Sequence, residues 1–241
     1  MQGLPRQVSR GEARLSGGGG TKQPLWDLPT RVAHWLLAAL IGFSWWSVHH
    51  HHTDWHIWSG VAILTLLIFR LLWGFVGSST ARWAGFIRGP RTVAAYLKGE
   101  WTGIGHTPLG ALSVVAMFVA VAVQVSLGLI SQDEDGIYFG PLSGLVSSDT
   151  SDKARDIHEL WFNVIVALIV LHVGAILYYR LFRGRKLTKP MITGRAELDP
   201  AAAPMRPAKW WIAVICIVIA FGIARWVVAG APPFGSPPLL D

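Results

Sequence analysis

Apolar residues fall along the chain in five continuous runs, near 30–48, 57–76, 107–130, 157–179 and 210–229. Each comes close to the roughly 20 residues that a helix needs to cross a hydrocarbon core of about 30 Å. The runs do not alternate apolar with polar positions, as barrel strands would, and a segment in lipid must satisfy its own backbone hydrogen bonds. The pattern therefore predicts an all-α integral membrane protein with five transmembrane helices. Ahead of the first run, residues 1–24 hold four consecutive glycines, Gly17 to Gly20, and four basic residues, a composition that predicts a disordered tail. No apolar segment of signal-peptide type precedes the first run, so no cleaved leader is expected. Residues 82–101 mix Trp83, Phe86, Ile87, Tyr96 and Leu97 with arginines and read as a segment lying flat in the membrane interface.

Composition agrees: 52% of residues are apolar and 15% charged, against about a quarter charged in soluble domains. The net charge of +7 could indicate nucleic acid, but its placement points to a membrane instead. Of the 21 Lys and Arg residues, 17 lie before or at the start of the first run, between the second and third, or between the fourth and fifth. By the positive-inside rule these are cytoplasmic, which sets the amino terminus inside and the carboxyl terminus outside. The other side is acidic, with Asp133, Glu134, Asp135, Asp149, Asp152, Asp156 and Glu159. The 13 tryptophans, several at run ends, fit interfacial belts. A single cysteine, Cys216, excludes internal disulfides, Cys-x-x-Cys metal sites and covalent c-type haem; on the fifth run it reads as lipid-facing or packed.

Histidines carry the chemistry, because ionisable groups inside a membrane are costly and mark function. His34 lies early in the first run, His56 opens the second, and His158 and His172 share the fourth. Fourteen residues at 100° each fall about 40° short of four full turns, so His158 and His172 leave one helix face about 21 Å apart. Successive spans run in opposite directions, which matches His56 to His158 in depth near the outer side and His34 to His172 near the inner side. Paired neutral imidazoles from facing helices are what the two axial positions of a b-type haem require. Two haems stacked across the membrane are expected, with these four residues as iron ligands. Arg70, fourteen residues after His56, is placed to pair a propionate at the inner level or to snorkel to the inner surface. His106, at the mouth of the third run, is a candidate propionate or quinone partner. Gln124 reads as an interhelical hydrogen bond, and Gly60, Gly110, Gly128 and Gly174 as positions of close approach. The run His49 to His52 reads as a short outer turn with incidental metal affinity.

The stretches WDLPTRVAHW (26–35), FRLLWGFVGS (69–78), GHTPLGAL (105–112), GPLSGLVSSDT (140–150), HELWFN (158–163), LHVGAILYY (171–179) and PMITGR (190–195) resemble the bacterial cytochrome b561 family. That family includes the di-haem cytochrome b subunit of nickel-iron hydrogenases and is similar to the formate dehydrogenase gamma subunit. The resemblance covers residues 25–195 and implies a four-helix transmembrane bundle holding two b haems, with ligand positions at His34, His56, His158 and His172. Residues 196–241 then supply a linker, a fifth transmembrane helix and a short outer tail.

The resulting expectation is transmembrane electron transfer between the quinone pool and a redox partner, either a periplasmic cytochrome c or a dehydrogenase or hydrogenase subunit. The chain would act as an electron-transfer component or quinone oxidoreductase subunit in a bacterial inner membrane. By resemblance to the formate dehydrogenase subunit, quinone is placed beside the inner haem, with His34, Arg70, His106 and His172 around it. A membrane metal transporter and a passive membrane anchor are the alternatives.

Overall fold

The structure, a computed structural model, describes residues 21–86, 108–198 and 204–232, with residues 89, 91, 92, 94, 98 and 234. Helix α1 (Leu28–His49) starts at Asp27, whose carboxylate accepts the Thr30 N–H at 2.7 Å. Pro29 occupies the first turn, where a missing N–H costs nothing. A tight turn at His50 to His52, with His51 at φ 57°, reverses the chain into α2 (Thr53–Val76). After the short α3 (Trp83–Phe86), α4 (Pro108–Ile130) and α5 (Ser148–Phe182) form a second hairpin. Helix α5 begins nine residues ahead of its apolar run, capped by Ser147, which accepts from the Thr150 N–H. Hydropathy marks only the lipid-facing part of a helix, so this acidic extension escapes it.

The chain then passes through α6 (Thr188–Thr193) to strand β2 (Arg195–Leu198) and ends in α7 (Trp210–Val228). Strand β2 pairs antiparallel with β1 (Thr21–Pro24), Thr21 opposite Leu198 and Pro24 opposite Arg195. The tail expected to be disordered through residue 24 is thus ordered in its last four residues. Its glycine-rich composition carries no trace of a strand partner so distant in sequence. Gly194, at φ 78°, ends α6 in the left-handed conformation that favours glycine, and its carbonyl accepts the Leu25 and Trp26 N–H groups at 2.8 and 3.2 Å. This sheet and its connections are called the clasp end; the His50 to His52 turn and the α4–α5 loop form the turn end.

Two apolar clusters hold the helices. Ile63 and Leu67 of α2, Ala120 and Val121 of α4 and Ile165 of α5 fill the centre of the α1–α2–α4–α5 bundle, with Leu37 and Ile41 of α1 against them. Ala33, Phe69, Trp73 and Ala81 meet Cys216 and Ala220 of α7 in the second cluster. Cys216, Ala220 and Ala224 are buried at spacings of four, a small-residue stripe that lets α7 approach α2 closely. Cys216 is therefore packed rather than lipid-facing. Trp58, Leu171 and Val218 are each more than 60% exposed, as side chains facing lipid are. Among the described residues, four helices, α2, α4, α5 and α7, are long and apolar enough to cross a membrane. Helix α1 has the length, 22 residues, but Arg31, His34, Ser44 and Ser47 dilute its apolar character.

Candidate functional site

At the turn end, His56 of α2 and His158 of α5 face each other with ring centroids 5.9 Å apart and planes at 86°. The His56 Nδ1 lies 3.0 Å from both the Ser44 backbone oxygen and the Ser44 Oγ, and the His158 Nδ1 lies 2.9 Å from the Gln124 backbone oxygen. A carbonyl has no proton to give, so each Nδ1 carries the hydrogen and each Nε2 keeps a free lone pair. That is the tautomer a metal-bound imidazole needs, with a carbonyl as the outer partner that fixes its ring. Gly128 lies one turn beyond Gln124 on α4, and a Cβ there would meet the His158 Cε1 at 3.0 Å. The missing side chain lets the ring lie against α4 while the carbonyl one turn back holds its N–H.

A cavity of about 560 Å³ opens beside this pair, within the range of about 300–1,000 Å³ typical of cofactor sites. Ile41, Ile63, Val121, Phe162 and Ile165 give it apolar walls, and Gly60 and Gly128 lie along it. The Gln124 Oε1 is buried with no hydrogen-bond partner among the described residues. The hydrogen bond expected of Gln124 is instead made by its backbone.

At the clasp end, His34 of α1 and His172 of α5 lie with centroids 6.4 Å apart and planes at 49°. The His34 Nδ1 is buried and has no hydrogen-bond partner among the described residues. What is tightly fixed here is the frame around the rings. Asp27 accepts the Trp73 Nε1–H at 3.1 Å and the Ser78 hydroxyl. Arg31 donates to the Ile192 carbonyl, Trp35 to that of Met191 and Thr80 to that of Leu25. The stretches 26–35, 69–78 and 190–195 therefore form one collar.

Arg70 sends its guanidinium to the Ala81 carbonyl at 3.1 Å and over the Trp83 ring at 4.4 Å, out of the apolar stretch and into this collar. His106 and half of the interfacial segment lie outside the described residues. The His49 to His52 run does not converge: the His49 and His50 Nδ1 atoms turn back to the Trp45 and Trp46 carbonyls. Among the described residues no three His, Cys, Asp or Glu side chains gather to hold a metal ion. Three residues that the sequence reading did not assign to the site belong around it: Ser44, Asp27 and Arg155, the last lining the turn-end cavity. A polar residue in an apolar run was the available signal for Ser44; an N-cap spacing was the signal for Asp27.

The ring spacing of each pair is compatible with one iron held between them. Metal–imidazole bonds of about 2.0 Å on either side, with roughly 1.1 Å from nitrogen to ring centre, put collinear imidazole centroids about 6.2 Å apart. The two observed spacings, 5.9 and 6.4 Å, bracket that figure.

Comparison with known proteins agrees. The family model described as prokaryotic cytochrome b561 matches residues 25–194, and the ends of that match are the two residues joined by the Leu25–Gly194 backbone hydrogen bond. No curated protein and no solved structure matches the chain. The chain belongs to the prokaryotic cytochrome b561 family, as a multi-pass inner-membrane protein that binds b-type haem and transfers electrons through it.

Proposed function

We propose that the chain carries electrons across the membrane through two bis-histidine b haems, one between His56 and His158 and one between His34 and His172. The observation that carries this reading is the pair of imidazole spacings, 5.9 and 6.4 Å, at opposite ends of one bundle. In this reading α1 spans the membrane with α2, α4, α5 and α7, the clasp end lies in the cytoplasm and the turn end in the periplasm, as the distribution of Lys and Arg supports.

When bound, the iron of each haem takes up and releases one electron at a time. The chain does the rest. His56 and His158 present Nε2 lone pairs in rings held by the Ser44 and Gln124 carbonyls, which also raise their basicity as ligands. His34 and His172 do the same without that outer hold. The apolar walls exclude water and set the potentials by their low polarity. Quinone exchanges electrons beside the clasp-end haem, near His34, Arg70 and His106. The acidic face from Asp133 to Glu159 receives a basic redox partner, a periplasmic cytochrome c or a dehydrogenase or hydrogenase subunit, by complementary charge.

The test is a reduced-minus-oxidised visible spectrum with haem quantitation on the purified protein. Two b haems per chain are expected, and a colourless preparation would remove the reading.

A further inference from the structure

We propose that Arg155 anchors the edge carboxylates of the turn-end haem. The inference rests on the reading that a haem sits between His56 and His158. A b-type haem is a broad apolar disc with two carboxylates on one edge. Its disc suits the apolar walls, but its carboxylates cannot face inward, because Ile63, Val121 and Ile165 there belong to the buried centre of the bundle. An unpaired carboxylate in such surroundings is prohibitively costly. The charged edge must turn away from that centre, toward the polar part of the lining that holds Arg155.

Arg155 is three residues before His158 on α5 and so shares its face. Its side chain is 22% exposed, whereas that of Lys153, two residues earlier, is 68% exposed and paired with Asp149 at 2.7 Å. Its guanidinium donates to Asp156 at 3.1 Å and lies 3.6 Å from Asp152. Both carboxylates are substantially water-exposed, so these pairs orient the group without consuming its capacity; a guanidinium has five N–H donors, suited to two-point binding of carboxylate. Of the acids that reach the same cavity, Asp133 already accepts the Ile137 and Tyr138 N–H groups at 2.7 and 3.0 Å. Glu159 repels a second carboxylate and so directs the edge toward Arg155.

The test compares R155Q, R155K and K153Q by spectroelectrochemical titration and by the rate of haem loss to excess apomyoglobin. Loss of the cation leaves the carboxylate charge uncompensated near the iron and favours the oxidised form. R155Q is expected to shift the reduction equilibrium of one haem about tenfold, close to 59 mV downward for one electron, and to speed its loss severalfold. The other haem should not move, R155K should restore most of the effect, and K153Q should resemble the parent. Should R155Q fail to accumulate, R155K reads the same component, with a smaller shift in the same direction. Equal shifts in R155Q and K153Q would reduce the role of Arg155 to general surface charge, and an unchanged R155Q would remove the anchor. The component absent from H158A identifies the turn-end haem. If H158A retains full haem content, or the parent lacks a haem at this pair, it is the two-haem reading that fails and not the anchor.

Discussion

At the turn end the imidazoles are held; at the clasp end the helices that carry them are held. His56 and His158 each give an N–H to a main-chain oxygen, and Gly128 leaves room for one of the rings. His34 has no such partner among the described residues, while Asp27, the strand pair and Gly194 lock the helix ends around it. Ligands already in the binding tautomer lose less freedom when a metal arrives. In the two-haem reading the same ligand chemistry is thus prepared in two ways, and the turn-end site should hold its haem more tightly.

The sharpest break of this comparison is removal of a proposed ligand. H158A is expected to abolish haem binding at the turn end alone and H172A at the clasp end alone, each lowering haem from two per chain to one by pyridine haemochrome assay. The two ends do not share a ligand, so loss of both haems in either variant would show that they are not independent.

Glycine substitution separates close approach from ordinary packing. At Gly128 an added Cβ would press on the His158 ring, whereas at Gly174 it would meet nothing within 4 Å. Replacing a helical glycine by alanine otherwise favours the helix by up to about 1 kcal/mol, so a loss at 128 must come from the ring. G128V should reduce turn-end haem occupancy severalfold, G128A less, and G174A not at all, as read from haem per chain and the spectrum.

Those two glycines also mark where sequence reasoning runs out. The helices were legible because lipid demands unbroken apolar runs, and the pairing by depth followed from alternating span directions. His56 and His158, like His34 and His172, do lie beside each other. Gly128 and Gly174, however, look alike in sequence, and only the packed helices show which one a ring touches. The oxygens of Ser44 and Gln124 that hold the rings are main-chain atoms, present at every residue and therefore silent in a sequence. The strand pairing of Thr21–Pro24 with Arg195–Leu198 is equally silent, because four residues on either side of a bundle have no periodicity to display. Four histidines in a row suggested metal affinity, yet local hydrogen bonds to their own helix turn two of those rings aside.

At the clasp end, Asp27 should matter for stability more than for haem chemistry. D27A removes an N-cap worth about 0.5–2 kcal/mol and strands the Trp73 N–H and Ser78 hydroxyl, at about 1–3 kcal/mol for each buried group left unsatisfied. Trp73 and Ser78 are buried at 1% and 0% exposure, so water cannot substitute. A loss of about 2 kcal/mol or more is expected in detergent unfolding, with D27N milder because its amide oxygen still caps the helix. Haem loss from the clasp end should accelerate while the turn end keeps its rate; equal acceleration at both ends would mean the collar braces the whole bundle.

Ser44 sets the finest division within the turn end. The His56 Nδ1 lies 3.0 Å from both the Ser44 carbonyl and its hydroxyl, so S44A deletes one acceptor and leaves the other. A neutral hydrogen bond contributes about 0.5–1.5 kcal/mol, and the surviving carbonyl recovers part of that, which limits the change in the turn-end haem dissociation rate to less than about fivefold. The tautomer is unaffected, since the carbonyl still requires a proton on Nδ1. S44A should therefore keep two haems per chain with nearly parental potentials in the apomyoglobin and redox assays. A variant that instead lost the turn-end haem as completely as H158A would assign the hold on His56 to the hydroxyl, and the contrast between a carbonyl-held pair and a collar-held pair would have to be redrawn.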